Sequence, residues 1–493
     1  MAIWLALVPI LLILFCMAVL GWSAARAGMV GAAAVIGVGN ALFGYQLNIP
    51  NIAGPLLEAV FTAATILWII YPALVLHEFQ QRTGASERIG IWLTSISDRP
   101  QVRVVVLAWF FALLLEGAAG FGTPVALVAP MLVALGFSPL RALILALIGH
   151  AAGVSFGAVG TPMLPLLEVS QVMPKDLSLA VMLLHAALGW TLVALIFHLS
   201  WTDQRPASWV IIPIAALLFA LPALLLAWLT GPELPTIGGA LIGGLAFVTL
   251  AKRRWPGTGT GPGTRKGLFL AALPYGLILL LLSLTRAVPA ASITLQSFAL
   301  DWEWAGKFSG SVKPLYHPGT MLMIALASTA VARFDQRTVI MPSLRAAASR
   351  LPEVAVALVC VLLMARIMAH SGMIDALATA ASRSLGSAWP AAIAFVAALG
   401  SFATGSATAS NILLAEFQLA AAKAAGLGPL PALAGQSFGA AIGNIIAPHN
   451  IVAGAATVGL IGREGAVLKT TLPVCLAYAG LGALLLLAFT ALA

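Results

Sequence analysis

The sequence predicts an all-α polytopic membrane protein, with about 12 transmembrane helices plus two re-entrant hairpins arranged as an inverted repeat. Three observations lead there. The composition is too apolar for a water-soluble domain, the positive charge gathers on one side of the apolar segments, and two interrupted stretches recur in the same order 290 residues apart.

Of 493 residues, 61% are hydrophobic and only 8% are charged, with a mean hydropathy of +1.04; an ordinary soluble domain carries roughly 25% charged residues. Apolar runs long enough to cross a hydrocarbon core of about 30 Å follow one another along the chain. They include 3–21, 177–199, 210–230, 268–285, 319–332 with its flanks, and 471–492. The alternating segments of a transmembrane barrel are absent. No basic region precedes the first run and no small-residue cleavage site follows it, so it is expected to be a span. Cys16, Cys360 and Cys475 all lie within apolar spans and are expected to be packing residues.

With Met1 outside, 18 of the 25 Lys and Arg residues fall on the inner connections. They are Arg26, Arg82, Arg88, Arg99, Arg103, Arg141, Arg205, Lys252 to Arg254, Arg265, Lys266, Arg333, Arg337, Arg345, Arg350, Arg463 and Lys469. Six fall outside and Arg366 remains within a span. The net charge of +9 therefore reports orientation by the positive-inside rule, and no nucleic-acid partner is called for. The expected location is the plasma membrane (the cell inner membrane of a bacterium), multi-pass, with both termini outside.

That count requires two segments to enter and return on the same side. Val104 to Leu115 and Val125 to Leu135 are each too short to cross, and EGAAGFGTP (116–124) joins them as the tip of the first hairpin, 104–135. The next segment, 139–167, is interrupted by GAVGTPMLP (157–165), where Gly and Pro should break the helix. The grammar returns in a second hairpin, 388–425, with the tip GSATASN (405–411), followed by a segment, 429–460, interrupted by GNIIAPHN (443–450). GFSPLRAL (136–143) aligns with GLGPLPAL (426–433) at an offset of 290. The expected division is a first repeat over 1–251, a cytoplasmic linker over 252–266, and a second repeat over 267–493. Interrupted spans at matching positions point to a secondary transporter's binding site.

Non-helical backbone at membrane depth is tolerated only where it is buried in protein or faces water. Helix ends aimed into such a cavity offer N–H groups to a carboxylate. Gly120 and Gly122 let backbone approach a ligand, and Thr123, Thr161, Ser406, Thr408 and Ser410 add hydroxyl donors. Glu116 is read as a proton-carrying carboxylate, against the alternative that it accepts hydrogen bonds from the tip's own N–H groups. His150 and His449 fall near the same cavity, as proton-coupling or binding groups or as satisfied packing residues. Asn411 is expected to cap its half-helix while donating to a ligand. Arg366 either grips the substrate's carboxylate, pairs with Glu416 or Asp375, or snorkels outward. His77, Glu78, His185 and His198 are expected at solvated span ends. Trp68, Trp109, Trp190, Trp201, Trp209, Trp228 and Trp255 are expected to form an interfacial belt. Segments 286–313 and 338–351 are expected to hold interfacial helices.

LEGAAGFGTPVAL (115–127), SFGAVGTPM (155–163), GPELP (231–235), GSATASN (405–411) and IAPHNIVAGAATVGLIGRE (446–464) resemble, in order, blocks of the L-lactate permease family. The resemblance implies an ion-transporter-like, elevator-type architecture. It also implies symport of lactate, glycolate or a related 2-hydroxy acid with protons. Relative to the family pattern, Ala407 stands in place of an acidic residue, Asn444 in place of a Lys and His449 in place of a Gln. Asn444 is counted with His449 among the substrate-binding candidates. The expected partners are thus a small organic monocarboxylate, a proton and the lipid bilayer, with a homodimer as the assembly to test. No cofactor or metal is expected. A sodium-coupled or uncoupled carrier is the alternative, and an enzyme is disfavoured because HExxH does not occur.

Overall fold

The computed structural model describes residues 5–120, 122–200, 208–257 and 264–492. Arg205, Trp201 and linker residues 258–263 lie outside them. Among the described residues, twelve helices are long and apolar enough to cross a membrane. Two of these, Pro100–Ala118 and Met373–Thr404, contain hairpin arms. Val8–Ala18 and Pro318–Ala332 are apolar as well but shorter, at 11 and 15 residues.

The helices sort into two packed groups. In the first, Ile340–His370 lies between Ala24–Phe43 and Ile49–Arg82, with Val8–Ala18 on the former and Pro318–Ala332 on the latter. In the second, Pro174–Leu199, Ile211–Thr230 and Pro235–Arg254 pack in sequence, and Pro429–Gly443 lies among Trp389–Thr404, Ala407–Ala424, Glu464–Leu492 and Pro174–Leu199. The groups meet where Ile340–His370 packs on Ala407–Ala424, where Val8–Ala18 packs on Trp389–Thr404, and where Ile49–Arg82 touches the first broken helix.

Both predicted interruptions are present, and both are shielded from lipid. The most apolar 18-residue window of Pro139–Glu168 is 100% buried and that of Pro429–Val458 is 89% buried, against 28% for the lipid-facing Arg265–Ala287. That burial is what lets irregular backbone sit at this depth. In the first broken helix, Pro139–His150 gives way to a 3₁₀ turn (Ala151–Phe156), and Ala158 (φ 41°) and Val159 (φ 55°) then take left-handed conformations. The interruption therefore begins six residues earlier than the Gly and Pro pattern suggests. In the second, Pro429–Gly443 passes through Asn444–Ile446 and an extended Ala447 to Pro448–Val458.

Each broken helix is seated on the first arm of the preceding hairpin by glycines at the repeat offset. A Cβ on Gly149 would overlap the Ala108 carbonyl, and one on Gly439 would overlap that of Ala394. One on Gly443 would lie 2.5 Å from the Ala398 oxygen. Main chain thus touches main chain at both broken helices.

Several expectations are corrected. Segment 338–351 is not a separate interfacial helix: Ile340–His370 runs through it as a single 31-residue helix. Segment 286–313 holds the helix Pro289–Gln296 but also an antiparallel ribbon, Leu300–Trp304 with Phe308–Val312, a small β element in an otherwise helical chain. Trp109 and Trp255 are buried rather than interfacial, and Trp109 packs edge-on against Phe219. Glu78 is buried and held by Arg82 and Arg350, while His185 is fully internal. Both were expected at a solvated end, and partners on distant helices account for the difference.

Candidate functional site

The first hairpin descends through Pro100–Val104, a π-helical stretch (Val105–Phe111) and Ala112–Ala118, and returns as Thr123–Ala134. Gly122 (φ 76°) makes the turn in a conformation that a side chain would strain. The amides of Ala119 and Gly120 are satisfied by the Leu115 carbonyl, not by Glu116, so the alternative role considered for that carboxylate is not realised there. Glu116 is 5% exposed and has no hydrogen bond or ion pair among the described residues. It points across to the first break. A Cβ on Gly157 would collide with its Oε1, and one on Gly120 would lie 3.3 Å from it.

The second hairpin has a shorter tip than the motif suggests. Trp389–Thr404 turns at Gly405 and Ser406, and Ala407–Ala424 follows at once. Ser406 caps the returning arm by accepting from the Ala409 N–H at 3.3 Å, which corrects the capping role expected of Asn411. Asn411 instead donates to the Pro162 carbonyl at 2.7 Å, tying the second hairpin to the first broken helix. Ser410 donates to Ala397 at 2.9 Å and clasps the two arms. Thr408 is buried in the first turn of the returning arm.

The two breaks face each other. His150, fully buried, lies with Nδ1 2.9 Å from the Ala146 carbonyl and Nε2 3.3 Å from Asn444 Oδ1. Asn444 Oδ1 also accepts from Asn450 at 2.6 Å. A ring that donates Nδ1–H to Ala146 meets Asn444 in one of two ways: as an imidazolium donating to Oδ1, or as a neutral ring accepting from a turned amide. The proton on His150 and the orientation of the Asn444 amide are therefore linked. Both hairpin tips reach this second break. A Cβ on Gly122 would lie 3.1 Å from Asn450 Oδ1, and one on Gly405 3.0 Å from the Cβ of His449, which is itself exposed. Thr161 donates to the Ala158 carbonyl at 2.6 Å across the first break, while the buried Thr123 hydroxyl has no partner among the described residues.

The structure thus brings together Glu116, Gly120, Gly122, Thr161, His150, Asn411, Asn444 and His449. It places Arg366 elsewhere, paired with Glu168, with Glu416 at 3.3 Å and with Glu58 at 3.8 Å. Two features were missed. The GPELP turn abuts the first break, where a Cβ on Gly160 would lie 2.6 Å from the Pro232 oxygen, and Glu233 pairs with the buried Arg286 at 3.0 Å over the Tyr316 ring. His185 bridges Ser155 of the first break, at 3.0 Å, to Tyr478, at 3.3 Å. The motif GPELP marked the first in the sequence; nothing marked the second.

The profile of the family described as L-lactate permease matches residues 2–492. A relative in Haemophilus influenzae is 31% identical over 92% of each chain. The L-lactate permease of Streptococcus iniae is 29% identical, over 86% of this chain and 92% of its own, and that of Escherichia coli strain K12 is 28% identical, over 87% and 86%. Among solved structures, the Neisseria gonorrhoeae MtrF efflux pump is similar at 16% identity, with a TM-score of 0.49 over 90% of this chain and 85% of its own. The Alcanivorax borkumensis YdaH transporter is similar at 18% identity, with a TM-score of 0.47 over 90% and 89%.

Proposed function

The chain belongs to the L-lactate permease family of multi-pass membrane transporters, and from that premise we propose that it imports a small 2-hydroxy monocarboxylate by proton symport. The observation that carries the proton is Glu116: a buried carboxylate, free of partners among the described residues, aimed at strained backbone in the first break. Such a group can take and release a proton without breaking any internal bond. An intramembrane ionisable side chain is costly enough to need a function.

In this reading the two breaks and two tips form the binding site. Main-chain N–H groups with Thr123 and Asn444 meet the substrate carboxylate, and His449 lines the opening. His150 adds a second proton-sensitive point, because its charge sets which face Asn444 presents. The hairpins are re-entrant, the halves form an inverted repeat, and the site is carried past the first helix group. Arg366 is removed from the binding set, since three carboxylates already occupy its guanidinium.

The test is uptake of labelled lactate and glycolate into proteoliposomes under separately imposed pH and sodium gradients. External acidification should drive accumulation. Accumulation driven by sodium alone would favour the sodium-coupled alternative and overturn the proton. For Glu116→Gln, exchange of internal for external substrate should persist while gradient-driven accumulation is lost.

A further inference from the structure

One guanidinium collects three carboxylates from three other elements. Arg366, on Ile340–His370, contacts Glu58 of Ile49–Arg82 at 3.8 Å, Glu416 of the second hairpin at 3.3 Å, and Glu168 at the end of the first broken helix. His370, one turn on, lies 3.5 Å from Glu58, and Thr62 donates to Glu168 at 2.6 Å. Tyr45 is the further titratable group facing Glu58. The Phe308 ring of the ribbon meets His370 edge-on and covers Gly54, closing this end of the cluster.

The distribution of these groups matters more than their number. Arg366, His370 and Glu58 belong to the first helix group, whereas Glu168 and Glu416 belong to the second. Among the described residues, no other side-chain ion pair joins Ile49–Arg82 or Ile340–His370 to the second group. With all three carboxylates ionised, one Arg faces an excess of negative charge in a setting of low dielectric, and the like charges of Glu168 and Glu416 oppose each other.

We propose that Arg366 is a proton-released latch between the two helix groups. With Glu168 and Glu416 ionised, the guanidinium bridges the groups and holds them in register. A proton from water on this face adds to a carboxylate oxygen of Glu416, forming an O–H bond and cancelling one of the two charges that hold Arg366 to the second group. Glu58, in the arginine's own group, then competes with Glu168 alone, and the tie to the second group is loosened. Loss of that proton restores the bridge. The proposal goes beyond the proton-coupled reading above: protons act here on the motion rather than at the substrate.

Two measurements separate the latch from that reading. Pulsed-EPR distances between spin labels at Val356→Cys and Leu399→Cys, in the full chain freed of its native cysteines, report the groups' separation without substrate. The distribution should be narrow at pH 8 and broaden at pH 6, and in Glu416→Gln it should be broad at both. Identical distributions at the two pH values in the parent chain overturn the latch, whatever is transported. Lactate exchange at equal internal and external pH should fall severalfold from pH 6 to pH 8, and Glu416→Gln should flatten that profile. A profile unaltered by both Glu416→Gln and Arg366→Gln also overturns it. Failure of a proton gradient to drive accumulation, with the distance change intact, removes symport and leaves the latch.

Discussion

Glu116 and the strained pair Ala158 and Val159 are where single residues decide most. Ala158 sits at φ 41°, a conformation that costs an L-residue about 1–2 kcal/mol and glycine almost nothing. Ala158→Gly should therefore hold or raise the thermal midpoint, although the same change in a helix lowers stability; a clear fall would show that the residue is not left-handed in the bilayer. Gly157→Ala drives a methyl into the Glu116 carboxylate, and overpacking of this kind costs about 1–3 kcal/mol. The double variant Gly157→Ala/Glu116→Ala should regain the midpoint but not accumulation, which separates the clash from the chemistry. His317, outside the spans, is pushed down to about 4 by burial and by the Arg286 charge. The folded state therefore binds fewer protons than the unfolded chain between about pH 4 and its ordinary value of about 6.5. Stability should fall with acid through that window, and His317→Asn, which can still accept from the Gly319 N–H, should reduce the loss. Glu116 and the tip glycines were legible because an ionisable group in an apolar run has no ordinary explanation. His185 and Arg286 were not, because what makes them internal is a partner distant in the sequence (Tyr478 and Ser155 for one, Glu233 and Tyr316 for the other).

At the scale of elements, both hairpins and both interruptions were readable because Gly and Pro signal where a helix cannot continue. Their limits were less readable. The first interruption opens with Ala151–Phe156, whose residues are helix-compatible and are bent only by their surroundings. The second tip is short because Ser406 caps the next helix immediately. The π-helical stretch Val105–Phe111 leaves no mark in composition. The glycine seats offer a direct test. Gly149→Ala and Gly443→Ala should lower the thermal midpoint and suppress uptake, since the atoms met are main chain, while Gly276→Ala, which has nothing within 4 Å of its Cβ, should be tolerated. Equal effects at the three positions would mean the broken helices are not seated on their hairpins as described.

The whole molecule was the easiest level to read, since composition alone demands a bilayer and charge asymmetry proposes an orientation. The positive-inside rule speaks only to which side a loop lies on, so the sorting of helices into two groups could not be foreseen from it. The re-entrant path makes a prediction at this scale. In a chain without native cysteines, Glu87→Cys and Ser138→Cys flank the first hairpin, and Arg383→Cys and Lys423→Cys flank the second. An impermeant maleimide added to intact cells should label the second pair and spare the first. Opposite labelling within either pair would mean that hairpin crosses the bilayer. The contacts of Gly149 with Ala108 and of Gly439 with Ala394 carry a consequence for genetics. The colliding atom in each is a carbonyl oxygen, identical in every amino acid, so no exchange at residue 108 or 394 can make room for a larger neighbour. A screen for suppressors of Gly149→Ala should return revertants and remote changes, and none at the residue it strikes.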